Sequence, residues 1–216
     1  MAKYKSQSIH EYEGSNVLIN KFDERDPEKL NQLEALYTGR RMLQLQNKPM
    51  YGAFGLKHLQ KIHKFIFQDI YPFAGELRQE QIEKGTTPFA HPLHLDENAR
   101  SLFKDLKNEK FLKGLDKEKF SERASHYLTE INILHPFREG NGRTQREFLR
   151  TLGLKNGFEI DWSRMDENEM LQASIKSVFR DNQFVDIFKQ VIVNDEPSLE
   201  LIKEFNSLSK KNELEL

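Results

Sequence analysis

Apolar residues recur at helical spacing along almost the whole chain, and that period constrains the fold more than any other feature of the sequence. Over residues 116–134, Phe120, Ala124, Tyr127, Leu128 and Ile131 fall on one stripe while charged residues fill the other face, the pattern of a helix with one buried side. Similar stripes over 27–46, 56–67, 96–111, 167–178 and 182–193 predict further helices of ordinary length. One segment breaks the period. Over 77–90 a short alternating run around Ile82 leads into Lys84-Gly85 and Thr86-Thr87-Pro88-Phe89, which predicts a β-hairpin, with an irregular loop as the alternative. The expected class is all-α, a helical bundle carrying one small β-hairpin.

A chain of 216 residues buries one sizeable core without needing a second domain. We expect a single domain over 1–216, with its core over about 15–195 and a carboxy-terminal helix over about 197–214. The polar segments 3–14 and 207–216 are expected to fray. Lys plus Arg (33) nearly balances Asp plus Glu (34), so a net charge of −1 supplies no overall field toward nucleic acid or an anionic membrane. Any affinity for phosphate must be local. The absence of cysteine removes disulfides and thiolate metal sites. No apolar run resembles a signal peptide or a membrane span, so a cytoplasmic protein is expected; the sequence leaves open delivery into another cell.

Residues 134–150, LHPFREGNGRTQREFLR, concentrate the chemistry. His135 precedes Pro136, which disfavours the α region and should end the preceding helix, leaving an imidazole at a rigid terminus as a general-base candidate. Gly140 and Gly142 flank Asn141 and permit backbone N–H groups to converge on an anion, with a helix resuming at Arg143 behind them. Arg143, Arg146 and Arg150 then share one helix face, while Phe148, Leu149 and Leu152 anchor the other; a solvated charged face has the same spacing. Glu139 beside bound phosphates would repel them unless a cation lay between, which points to Mg²⁺. Its alternative role is a salt bridge to Arg138 or Arg143. Phe137 is expected to pin the loop. Neither a P-loop nor the kinase signatures occur. His91-x-x-His94, His58 and His63 lack companion ligands and read as ordinary surface or core residues, and Trp162 with the phenylalanines reads as core.

The run His135-Pro136-Phe137-Arg138-Glu139-Gly140-Asn141-Gly142-Arg143-Thr144-Gln145-Arg146 resembles the signature loop of the Fic family, HPFx[DE]GNGRxxR, at every defined position. The likeness extends from Ile19-Asn20-Lys21 through Ile70-Tyr71-Pro72-Phe73-Ala74-Gly75-Glu76-Leu77-Arg78 to the helices after Arg146. It implies a helical bundle with a β-hairpin flap and transfer of AMP from ATP to a Tyr, Ser or Thr hydroxyl of a target protein. His135 would be the base and Glu139 the Mg²⁺ ligand. Residues 140–142, Arg143 and Arg146 would hold the phosphates. The hairpin with Lys84 and Gly85 would lie beside the nucleotide and lay a target segment across the site.

Gly142 replaces the lysine of the kinase-like Fic relatives, which favours AMP transfer; UMP or phosphocholine transfer stays open. Ser209-Lys210-Lys211-Asn212-Glu213-Leu214 partly matches the family's inhibitory motif [ST]xxxE[GN], with Leu214 departing from it, so Glu213 is a regulatory candidate facing Arg146. An antitoxin-type partner or self-association would supply the glutamate otherwise. Two other readings compete: a nucleic-acid module built on Arg138, Arg143, Arg146 and Arg150, and a nucleotide-binding regulator with little turnover.

Overall fold

The computed structural model describes residues 8–84 and 87–214, without the side chains of 84, 87 and 210–214. Eight α-helices follow in order among these residues: α1 (Pro27–Asn47), α2 (Leu56–Phe67), α3 (Leu95–Asn108), α4 (Lys117–Leu134), α5 (Asn141–Lys155), α6 (Glu167–Lys176), α7 (Val185–Val191) and α8 (Leu199–Leu214). Local chemistry starts several of them. The Asp26 side chain accepts from the N–H groups of Glu28 and Lys29 with Pro27 in the first turn of α1, and Asp116 and Asp166 cap α4 and α6 in the same way.

The core forms where the predicted stripes meet. α4 packs on α3, α5 and α7, while α5 also packs on α2 and α8. Phe148, Leu149 and Leu152 of α5 are buried beside Phe120, Ala124, Tyr127 and Ile131 of α4 and Ile62, Ile66 and Phe67 of α2. Burial of each such large side chain stabilises by about 1.5–3 kcal/mol, which makes α5 the axle of the bundle and fixes its N-terminus in space. Trp162 is half-buried, packing edge-on against Phe188, and α8 adds Phe205 to the core.

The hairpin is β1 (Glu83–Lys84) against β2 (Thr87–Pro88), antiparallel, with Glu83 opposite Pro88 and Lys84 opposite Thr87. It flanks residues 85 and 86, so Gly85 lies outside the described residues. Ile82 and Phe89 pack together below it, apart from the main core.

Two boundaries differ from the periodicity. The stripe over 96–111 breaks after Asn108, because Lys110, Phe111 and Leu112 take left-handed backbone (φ 54°, 56° and 63°). There the Phe111 carbonyl accepts from Asn156 Nδ2 at 2.9 Å, a tertiary contact that an apolar period does not encode. Asn182, at φ 67°, delays the helix predicted over 182–193 until Val185. The amino-terminal segment does not fray over its described part: Ser8 donates to Glu80 at 2.7 Å, and Glu11 bridges to Leu18. At the other end α8 continues as helix through Leu214. No described helix is long and apolar enough to cross a membrane.

Candidate active site

The loop between α4 and α5 is built by residues far away in sequence. α4 stops at His135, whose backbone is left-handed (φ 44°, ψ 60°) rather than extended as its place before proline predicts. The reason is a buried arginine. Arg78, 2% exposed, donates from Nε to the His135 carbonyl (2.7 Å), from Nη2 to the carbonyls of Leu134 (3.2 Å) and Ala90, and from Nη1 to that of Glu80 (2.9 Å). A cation at the end of α4 meets its unpaired carbonyls and the negative end of its dipole, and holds the His135 turn in place. The same guanidinium ties the base of the hairpin to α4.

His135 is buried, and Nδ1 lies 3.3 Å from the Asn132 carbonyl. A carbonyl only accepts, so Nδ1 carries the proton in that contact and Nε2 is left as the basic nitrogen. Phe89 of the hairpin stacks on the ring at 3.8 Å and 14°.

His63 of α2 holds the middle of the loop. Its Nε2–H donates to the Glu139 carbonyl (2.9 Å) and its Nδ1 accepts from the Gly75 N–H (2.7 Å). Burial pushes this imidazole down to about 4, against a smaller opposing effect of the Glu139 hydrogen bond, so it is neutral at physiological pH. Phe137, 1% exposed, stacks on His63 at 3.9 Å and is the expected pin. His58 is likewise a core residue: its Nε2 pairs with the Met50 carbonyl at 2.8 Å, and burial pushes it down to about 4.

The phosphate nest takes a different form from the one expected. Helix α5 starts at Asn141, not Arg143. Gly140 is left-handed (φ 78°), and a Cβ there would lie 2.1 Å from the Phe67 ring, so glycine is required on two counts. Gly142 is helical and exposed, and a Cβ there would make only an ordinary contact with Arg146 Nη1 at 3.4 Å, so the backbone does not require glycine at this position. Asn141 braces the loop instead of facing outward: its Oδ1 accepts from the Phe137 N–H (2.9 Å) and its Nδ2 donates to the Phe137 carbonyl (2.7 Å). At the start of α5 the Glu139 carboxylate accepts from the Gly140 N–H through Oε1 (2.9 Å), and no described side chain bonds the N–H groups of Asn141, Gly142 or Arg143, so these remain for an anion at the positive end of the dipole.

Arg143, Arg146 and Arg150 share one face of α5 as expected and line one groove half-buried, while Arg138 turns inward. Arg138, 4% exposed, is bound to Glu11 (2.6 Å), Ser8 (3.0 Å) and Glu80 (3.2 Å). Arg150 pairs with Glu147 at 2.8 Å and donates to the Leu45 carbonyl at 2.8 Å. Arg143 pairs with Glu34 of α1 at 2.5 Å, with Glu139 farther off at 3.9 Å. Arg146 is half-buried and makes no ion pair with a described residue. Burial first, and then the Arg143 charge, hold its pKa below the usual range, with Glu167 opposing. Its guanidinium therefore favours an incoming anion.

His135, Glu139, Asn141, Gly142 and Arg146 line one cavity of about 300 Å³, whose other walls include Asn132, Met170 and Phe184. Arg146 also borders a larger groove of about 1050 Å³ together with Arg143, Trp162 and the α8 residues Leu201, Phe205 and Leu208. The cavity thus joins a basic nitrogen, a buried carboxylate, an uncapped helix N-terminus and an arginine attractive to anions. Lys84 lies in β1, with its side chain outside the described residues, as are Gly85 and the Glu213 side chain. Arg78, His63, Phe89, Glu34, Thr38 and Tyr71 were not identified as site residues from the sequence; the signal that marks Arg78 and Tyr71 is their place in the segment before the hairpin.

Residues 53–152 match the model of the Fic/DOC family. The chain is 39% identical over 180 residues to the protein adenylyltransferase VbhT of Bartonella schoenbuchensis, covering 79% of this chain and 38% of that protein. It is 37% identical over 163 residues to the probable protein adenylyltransferase Fic of Escherichia coli, covering 76% of this chain and 80% of that one. The N-terminal Fic domain of a VirB-translocated Bep effector from Bartonella quintana, solved with bound ADP, superposes with a TM-score of 0.79 at 27% identity, covering 90% and 97% of the two chains. The BepC protein of Bartonella tribocorum, solved with bound AMPPNP, gives 0.77 at 26% identity, covering 84% and 95%.

Proposed function

This chain belongs to the Fic/DOC family, and from that membership we propose that it transfers AMP from ATP to a hydroxyl of a target protein, releasing pyrophosphate. The observation that carries the reading is one cavity holding the His135 base candidate, the uncapped start of α5 and Arg146. His135 Nε2 takes the proton of the target hydroxyl, and the freed oxygen attacks the α-phosphorus. The new P–O bond forms as the bond to the β-phosphate bridging oxygen breaks, and pyrophosphate leaves. The N–H groups at the start of α5 stabilise the charge that develops, and Arg143 and Arg146 hold the leaving phosphates in line.

The donor chemistry at Glu139 fits Mg²⁺. It is a hard carboxylate, 6% exposed, on the cavity wall, and the described His, Asp and Glu trio close enough to share an ion (His126, Glu130, Asp181) does not include it. One carboxylate completed by phosphate oxygens is an ordinary Mg²⁺ arrangement. When bound there, the ion would neutralise phosphate charge. The hairpin, tied to α4 through Arg78 and to His135 through Phe89, is the ledge on which a target strand would be registered. Inhibition falls to a carboxylate brought to Arg146, either Glu213 of α8 or one from a partner.

Intact-mass measurement of a target protein incubated with ATP and Mg²⁺ tests the reading. One AMP per acceptor hydroxyl is expected with the wild-type chain and none with His135→Ala; equal modification by both removes His135 from the chemistry.

A further inference from the structure

Arg143 is not held by its own helix. Its Nη2 donates to Glu34 Oε1 (2.5 Å) and its Nη1 to Thr38 Oγ1 (3.0 Å), both one turn apart on α1. The Thr38 hydroxyl spends its single proton on the Glu34 carbonyl (2.7 Å), so toward Arg143 it acts as an acceptor. Glu34 Oε2 accepts from the Tyr71 hydroxyl, which leaves neither carboxylate oxygen idle. Tyr71 is 2% exposed; burial, then the Glu34 charge, push its pKa up, and it remains a donor. Beneath the guanidinium lies the Phe67 ring, 4.7 Å from Arg143 Cζ, the same ring that leaves room for nothing larger than glycine at Gly140.

We propose that Glu34, Thr38 and Tyr71 are positioning residues that hold the Arg143 guanidinium ready for a nucleotide phosphate. The inference rests on Arg143 being a phosphate ligand. A guanidinium carries five N–H donors, and the two described bonds engage one on each terminal nitrogen, leaving donors for phosphate oxygens. Fixing the side chain beforehand removes an ordering cost of about 0.5–1.5 kcal/mol from nucleotide binding.

The test needs no target protein. ATP binding in the presence of Mg²⁺ is measured calorimetrically for wild type, Thr38→Val, Glu34→Asp, Arg143→Ala and Thr38→Val/Arg143→Ala, with folding checked by circular dichroism. Thr38→Val and Glu34→Asp keep every charge; the first also removes the bond to the Glu34 carbonyl and the second also lengthens the reach to Tyr71, so the double variant with Arg143→Ala isolates the hold on Arg143. Each is expected to weaken ATP binding by roughly twofold to tenfold, and the Arg143 Nε–H resonance should report a more mobile side chain. Thr38→Val is expected to change nothing once Arg143 is already alanine. Wild-type affinity in Thr38→Val and Glu34→Asp, or an equal loss from Thr38→Val with and without Arg143, overturns the proposal. Tighter ATP binding by Glu34→Asp also overturns it, since Glu34 would then be a competitor of the phosphates. ATP affinity unchanged in Arg143→Ala alone strikes instead at the reading of Arg143 as a phosphate ligand.

Discussion

Replacing Arg78 by methionine removes the cation that organises the loop while keeping a side chain of similar reach. The wild-type guanidinium donates to four backbone carbonyls, those of Glu80, Ala90, Leu134 and His135, at a position 2% exposed. A hydrogen bond to a charged group contributes about 1.5–3 kcal/mol, so four set an upper limit of about 6–12 kcal/mol. The mutant escapes the desolvation of a buried guanidinium but leaves neutral carbonyls without their donor, at about 1–3 kcal/mol for each that finds no other partner, which brings the net loss to about 3–5 kcal/mol. For a chain of this size each kcal/mol lowers the melting temperature by about 2–4 °C, giving a fall of roughly 6–20 °C. Thermal melts followed by circular dichroism, with urea titrations of the same samples, measure it. Arg78→Lys keeps a charge and up to three donors and should fall between the two. A methionine variant that melts with the wild type would refute the claim that Arg78 supports the His135 turn.

Gly140→Ala forces a side chain onto a left-handed backbone and into the Phe67 ring; a loss of about 3 kcal/mol in urea unfolding is expected, and a loss below about 1 kcal/mol would contradict the packing described. His135→Ala should abolish AMP transfer while ATP affinity in calorimetry stays within about threefold, because the base does its work on the acceptor. Stability should depend on pH through His58 and His63, both pushed down to about 4 by burial. Between about pH 6.5 and 4 the unfolded chain binds more protons than the folded one, so the stability present above pH 6.5 is lost as the pH falls, by about 3 kcal/mol per ring. A urea midpoint that stays flat from pH 7.5 to 4.5 would argue against both assignments. Gly142→Lys places a long cation beside Arg146 and should weaken ATP binding; unchanged affinity would show that the mouth of α5 is not where the phosphates enter.

The signature loop was legible because its chemistry is contiguous: the base, the carboxylate, the glycines and two arginines lie within twelve residues, and helical periodicity places them between two buried-face helices. The roles within it were less legible. Asn141 and Arg138 carry polar groups that suit a phosphate, yet the first braces Phe137 and the second binds Ser8 and Glu11. Spacing cannot separate a group that faces a ligand from one that faces its own loop. The supporting residues were out of reach for a simpler reason. Arg78 stands 57 residues from the carbonyl of His135, and Glu34 stands 109 from Arg143, separations at which local patterns carry no information. His63 read as an ordinary histidine, and its burial follows its helix, but its bond to the Glu139 carbonyl appears only when α2 packs against the loop. The left-handed turn at 110–112 falls in the same class, since an apolar stripe continues through it unmarked.

We propose that this cavity moves a nucleotidyl group and not a terminal phosphate. Parallel reactions of the chain and an acceptor protein with ATP labelled either at the α-phosphate or at the γ-phosphate, in wild type, His135→Ala and Glu213→Gly, test it most directly. Protein-bound label is expected from α-labelled ATP alone, absent in His135→Ala, with the γ-label recovered in pyrophosphate. Protein-bound label from γ-labelled ATP, or α-label transfer that survives His135→Ala, would contradict it.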